Sequence, residues 1–268
     1  MTDLHVEVYG EGEAAIFVHG MFGWGLDTFP HQHALADEYR IILIDRRGYG
    51  DSPAADQIGW HIDMHDIAKL LDEVGGAHLV GQSSGAVVCL LAAGLRPDLV
   101  HSFVAIEPHM FEIAKDREAV AVVIRALQPV HKRASSMTAG EFYRAYGLAR
   151  GRADEQISQD MAAFSPKDWA AIEASRKERR SDDAPIAFDL LLKARFPKVL
   201  VRGAWPPERF PGRETMGRGY REVCEVIAKA IGGRIVVFQE SGHNPQTEEP
   251  ERFNSFLRDV WSSARKVP

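Results

Sequence analysis

The sequence predicts an α/β fold: a mostly parallel open sheet flanked by helices, with a helical cap inserted between two of its strands. Three observations carry this expectation. Short apolar, β-branched runs alternate with segments of helical spacing through residues 1–109 and 196–268, the pattern of strands joined by crossover helices. Chemistry-bearing residues follow several of these runs directly, as they do at the carboxyl edge of an open parallel sheet. From Met110 to Arg195 the pattern is helical, as in Ala119 to Leu127 and Glu141 to Ala149, rich in aromatics and charges. Residues 110–195 are therefore the expected cap, and the other two segments the core.

Taken in order, His5 to Tyr9 alternates as an edge strand does, and Gly10-Glu11-Gly12 turns it into the apolar run Ala14 to Val18. Asp27 to Tyr39 has helical spacing, and Arg40 to Ile44 reads as a buried strand. The glycine-punctuated Asp45 to Ser52 that closes it is charged and reads as structural. A helix from Ile62 to Val74 is expected to stop at Gly75-Gly76. Ser102 to Ile106, Lys198 to Val201 and Arg234 to Phe238 are further strands. Helices are expected over Tyr220 to Ile231 and from about Pro250 to Ala264. The run Arg176-Lys177-Glu178-Arg179-Arg180 reads as a solvated face or loop.

The chemistry centres on Ala77 to Gly94, where an apolar strand meets Gly81-Gln82-Ser83-Ser84-Gly85 and then a strongly apolar helix. A G-x-S-x-G turn between strand and helix forces its central serine into a strained backbone conformation and presents the hydroxyl above the sheet. Ser84, in the first turn of the helix, offers a backbone N–H to a developing oxyanion. His19-Gly20-Met21-Phe22-Gly23 follows another strand, and Met21 is the expected second donor, with His19 holding the loop through its ring. Glu107-Pro108-His109 places a carboxylate at the end of a third strand.

Composition narrows the class. A net charge of −6 argues against a nucleic-acid or anionic membrane surface. Cys89 and Cys224 have no metal-ligand spacing and read as reduced, buried hydrophobes. The first residues, MTDLHVEVYGEG, lack a basic segment followed by an apolar one, and no run is long enough to span a membrane. The expected location is cytoplasmic, and no metal or organic cofactor is implied.

The motifs HGMFG, DRRGYGDS, GQSSG and SGHNPQTEEP occur in the order typical of the α/β-hydrolase fold family, which the chain resembles over almost its whole length. The resemblance implies Ser83 as nucleophile, His243 as general base, and Met21 and Ser84 as oxyanion donors. Gly20, Phe22, His109, Trp169 and Phe188 are the expected substrate-binding residues. The acid departs from the common pattern, because Gly203-Ala204-Trp205-Pro206-Pro207 has no carboxylate before Glu208. Glu107 lies at the alternative acid position of some dehalogenase-like and lactone-hydrolysing members and is preferred over Glu208.

The implied activity is a serine hydrolase cleaving a small, apolar carboxylic ester or lactone through an acyl-enzyme, with some similarity to zearalenone-type lactone hydrolases. A dehalogenase would carry aspartate at position 83. C–C bond hydrolases and lyases use closely related sites, and family members that bind a small ligand without catalysis, or serve as a scaffold, form further classes.

Overall fold

A computed structural model describes residues 3–264. Its sheet is built from β1 (Val6–Tyr9), β2 (Ala14–Val18), β3 (Arg40–Ile44), β4 (Ala77–Gln82), β5 (Val100–Ile106), β6 (Lys198–Gly203) and β7 (Arg234–Phe238). The spatial order is β1-β3-β2-β4-β5-β6-β7. Only β1 runs antiparallel, against β3. The helices are α1 (Gly25–Thr28), α2 (Trp60–Val74), α3 (Ser84–Leu95), α4 (Glu118–Arg133), α5 (Ala139–Ala149), α6 (Asp154–Ala163), α7 (Pro166–Lys177), α8 (Phe188–Lys193), α9 (Glu214–Ile231), α10 (Pro245–Glu248) and α11 (Pro250–Ala264).

Every residue of β2 and β4 is buried, because both faces of the sheet are covered. Alternate strand residues divide between two cores. Ile16, Val18, Leu79 and Leu200 pack with α2, α3 and α9, whereas Ala15, Phe17, Val80 and Val199 pack with Phe253, Leu257 and Trp261 of α11. No helix among the described residues is long and apolar enough to cross a membrane. Cys89 and Cys224 are free and buried.

Local chemistry explains the boundaries. Gly75 closes α2 in a left-handed conformation, φ 78°, and Gly75 and Gly76 N–H both return to Leu71 C=O. Reciprocal caps, Thr138 with Glu141 and Ser165 with Asp168, start α5 and α7. Between β5 and β6 the chain forms α4 to α8 and contributes no strand to the sheet.

The structure corrects two readings. Asp27 to Tyr39 is not one helix: α1 stops at Thr28 and a separate 3-10 turn covers Gln32–Leu35. Pro30 disfavours helical geometry at Phe29, which adopts φ −125°, ψ 52°. The run from Arg176 to Arg180 is not wholly solvated, because Glu178 turns inward to the buried Arg46 at 2.8 Å. Conversely, α4 continues through Pro129 to Arg133.

Candidate active site

Ser83 sits between β4 and α3 with φ 56° and ψ −120°, a conformation that costs a side-chain-bearing residue about 1–3 kcal/mol. The surroundings hold it there. Its N–H donates to Ile106 C=O at 2.9 Å, and its carbonyl accepts from Ala86 N–H at 3.1 Å and His109 N–H at 3.2 Å. The flanking glycines are required by contact: a Cβ on Gly81 would stand 2.6 Å from Gly85 O, and one on Gly85 2.3 Å from Val18 O. Strand and helix meet too closely for any larger residue. Ser84 is the first residue of α3, where amides have no intrahelical acceptor.

The loop after β2 is oriented by a buried histidine and a buried arginine. Arg46 N–H donates to His19 Nε2 at 2.9 Å, which leaves Nδ1 to donate to Gly20 O at 2.7 Å. Burial, then the Arg46 charge, holds the His19 imidazole well below its ordinary pKa, so the ring is neutral. Arg46 Nη2 also donates to Gly20 O, at 3.0 Å. In a trans peptide the N–H points opposite to the C=O. Fixing the Gly20 carbonyl therefore turns Met21 N–H the other way, in a loop so close to Ser83 that a Cβ on Gly20 would stand 2.8 Å from Ser83 Cβ. Phe22 has φ 70°, and its N–H is occupied by Ser175 Oγ at 2.8 Å.

Beyond β7, His243 Nδ1 lies 2.7 Å from Oε2 of the buried Glu107, itself at φ 39° just after β5. The other carboxylate oxygen, Oε1, accepts from Gly203 N–H at 3.0 Å and from Trp205 Nε1–H at 2.8 Å. Burial pushes the Glu107 carboxyl up to about 8, against the Trp205 and Gly203 bonds. Burial also holds the His243 imidazole well below its ordinary value, with the Arg150 and Arg213 charges adding to the effect. Tyr220 stacks on the imidazole at 4.7 Å between centroids. Glu208 is exposed.

Ser83, His243, Met21 and Phe22 line a cavity of about 540 Å³. Tyr143, Tyr146 and Arg150 come to it from α5 and the residue after it, and Arg213 from the residue before α9. Sequence reasoning missed these residues, and also Arg46 and Trp205. Charge alone marked Arg46, and a tryptophan in a proline-flanked loop gave no sign that its indole would reach a carboxylate.

Other expected binding residues lie elsewhere. Gly20 abuts Ser83 without lining the cavity. His109 is buried and lines a separate space of about 90 Å³ with Met21 and Ser84, its imidazole held down to about 4 by burial. Trp169 and Phe188 line neither space. Trp169 packs on Phe164 at 5.3 Å, and Phe188 begins α8, which packs on α3 and α9. Four arginines, Arg150, Arg152, Arg209 and Arg213, border the larger cavity.

Comparison with known proteins agrees with this architecture. The pimeloyl-[acyl-carrier protein] methyl ester esterase of Aeromonas hydrophila is 24% identical, the alignment covering 92% of this chain and 95% of that protein. The 2-(acetamidomethylene)succinate hydrolase of Mesorhizobium japonicum is 28% identical over 75% of this chain and 73% of its own. The crystal structure of an alpha/beta hydrolase from Sphaerobacter thermophilus superposes with a TM-score of 0.69 at 20% identity, covering 95% of this chain and 96% of that one. A model of the alpha/beta hydrolase family matches residues 15–256, and the chain belongs to that family.

Proposed function

We propose that this hydrolase cleaves a carboxylic ester or lactone through an acyl-enzyme on Ser83. The observation that carries the reading is the 2.7 Å contact of His243 Nδ1 with the buried Glu107, at the edge of the cavity that Ser83 also lines. With Glu107 ionised, Nδ1 carries the proton and Nε2 is the free base. Ser83 Oγ attacks the ester carbonyl as Nε2 takes its proton. The carbonyl oxygen, now an oxyanion, is met by Met21 and Ser84 N–H. The imidazolium, stabilised by Glu107, returns the proton to the leaving alkoxide; a water deprotonated by Nε2 then releases the acid and restores Ser83. These steps call on no cofactor.

A relative named as a methyl ester esterase, aligned over most of the chain, agrees with ester chemistry. Residues 110–195 act in this reading as a lid, since Tyr143, Tyr146 and Arg150 face the cavity from that segment. A fluorophosphonate probe tests the proposal: stoichiometric labelling of Ser83, lost in Ser83→Ala, is expected. Folded protein that turns over esters without labelling would refute it.

A further inference from the structure

The cavity shared by Ser83 and His243 is bordered by Arg150, Arg152, Arg209 and Arg213. Two of these are already engaged by a carboxylate or a main-chain carbonyl. Arg152 pairs with Asp160 and donates to Tyr143 Oη at 2.9 Å, and Arg209 donates to the Glu240 carbonyl. Arg150 and Arg213 are placed differently. Among the described residues, neither has a carboxylate within ion-pair distance. Arg150 donates to Tyr220 Oη at 3.3 Å and lies over the Tyr146 and Tyr220 rings at 5.5 and 5.7 Å. Arg213 lies over the Trp205 ring at 4.6 Å. The Nε of each is buried without a hydrogen-bond partner.

Aromatic faces thus orient these guanidinium groups without neutralising them. The surroundings of Arg150, its two tyrosines and Glu107, raise its guanidinium against burial, whereas those of Arg213 are unfavourable for the protein by itself. The Arg213 guanidinium is held down to about 10, by burial and then by repulsion from Arg150 and Arg152. Both charges also disfavour the imidazolium of His243, the species that must form when Ser83 is deprotonated. Among the described residues the carboxylates of the cavity wall, Asp27 and Glu248, do not pair with either guanidinium; Glu248, whose Oε2 accepts from Gly242 N–H, and Glu107 behind His243 offset the two charges only from beyond ion-pair distance. An anion brought by the substrate into the cavity that both side chains line would offset the charge that Arg150 places on Arg213 and restore support for the imidazolium. A planar guanidinium matches a carboxylate in geometry as well as charge.

We propose that Arg150 and Arg213 form a carboxylate subsite, so that the substrate is an ester or lactone bearing a second, free carboxylate. This rests on the hydrolase reading above. A cavity of about 540 Å³ accommodates a short half-ester of a dicarboxylic acid.

The test compares monomethyl and dimethyl esters of the C4 to C7 linear dicarboxylic acids, with Ser83 labelling by a fluorophosphonate followed in parallel. The wild type is expected to favour at least one monoester over its diester by roughly tenfold or more in kcat/KM, and Arg213→Gln or Arg150→Gln to reduce that ratio by roughly tenfold, the scale of a charge-assisted bond. Taking the ratio removes effects of either variant on His243, which both esters share. A second measurement uses wild-type protein alone: glutarate is expected to slow Ser83 labelling, and glutaramide to leave it unchanged. Ser83 labelling with no monoester preferred at any length and no protection by glutarate overturns the carboxylate subsite alone. Absence of labelling overturns the hydrolase reading and the subsite with it.

Discussion

Trp205 Nε1 donates to Oε1 of Glu107 at 2.8 Å, the carboxylate oxygen opposite the one that meets His243. The loop after β6 is where the common family pattern implies an acid. Here the last residue of β6 and that loop supply two donors, Gly203 N–H and the Trp205 indole, to a carboxylate just past the end of the neighbouring β5. Trp205 adopts φ 56° to do so. The carboxylate thus meets donors on both oxygens inside a buried site.

Trp205→Phe removes one donor while keeping an aromatic ring near Tyr220 and Phe210. A hydrogen bond to a charged group is worth about 1.5–3 kcal/mol, and one pH unit corresponds to about 1.4 kcal/mol. The variant is expected to move the rising limb of kcat/KM upward by about one pH unit or more. A pH profile reads this as a loss of about tenfold near neutrality that shrinks at alkaline pH.

The wild-type profile follows from the same pair. While the Glu107 carboxyl keeps its proton, it donates to Nδ1 and leaves the hydrogen on Nε2, the wrong tautomer for a base. Activity should therefore rise with pH as the pair loses that proton, with a limb near the value of about 8 to which burial pushes Glu107. Glu107→Gln should lower the rate by roughly two to four orders of magnitude. It should also move the limb acidward, since the remaining His243 titrates below its ordinary value. Glu208→Gln, on the exposed loop, should leave the profile in place. The reverse ranking of the two variants in kcat/KM would reassign the acid.

Arg46 joins the Gly20 carbonyl to Asp63 and to Glu178 beyond α7. Arg46→Met leaves both carboxylates without their buried partner, and removal of one side of such an arrangement costs about 3–5 kcal/mol. Urea denaturation should show this loss. Arg46→Lys keeps a charge but not the fork, and the expected signature is a fall in kcat larger than any change in KM, because Met21 N–H loses its orientation.

Gly85→Ala places a methyl group 2.3 Å from Val18 O and 2.4 Å from His19 O, both main-chain atoms. Neither can move without shifting β2 and the loop that follows it. A destabilisation of about 3 kcal/mol, at the upper end for overpacked sites, is expected from denaturant titration.

What could be read in advance was what local chemistry determines. The glycines around Ser83 signal a close strand-to-helix approach, and the apolar runs that became β2 to β6 have no alternative to a doubly covered sheet. Glu107 was singled out in the sequence by its resemblance to an alternative acid position of the family, and the structure places it just past the end of β5, which pairs with β4. The helical segment was legible in type but not in facing. Trp169 packs on Phe164 while Arg150 reaches the cavity, and helical spacing shows neither partner. Glu178 read as solvated because nothing near it in sequence announces Arg46, its partner across the fold. Pro30 was a local signal that outweighed the spacing of Asp27 to Tyr39.

The most direct test of the central claim is rapid-quench mass spectrometry of the wild-type protein mixed with an activated ester. The expected result is one acyl group per chain, located on Ser83, formed faster than steady-state turnover and absent in Ser83→Ala. Steady turnover of the ester with no acyl adduct, or with the adduct on another residue, would contradict the account.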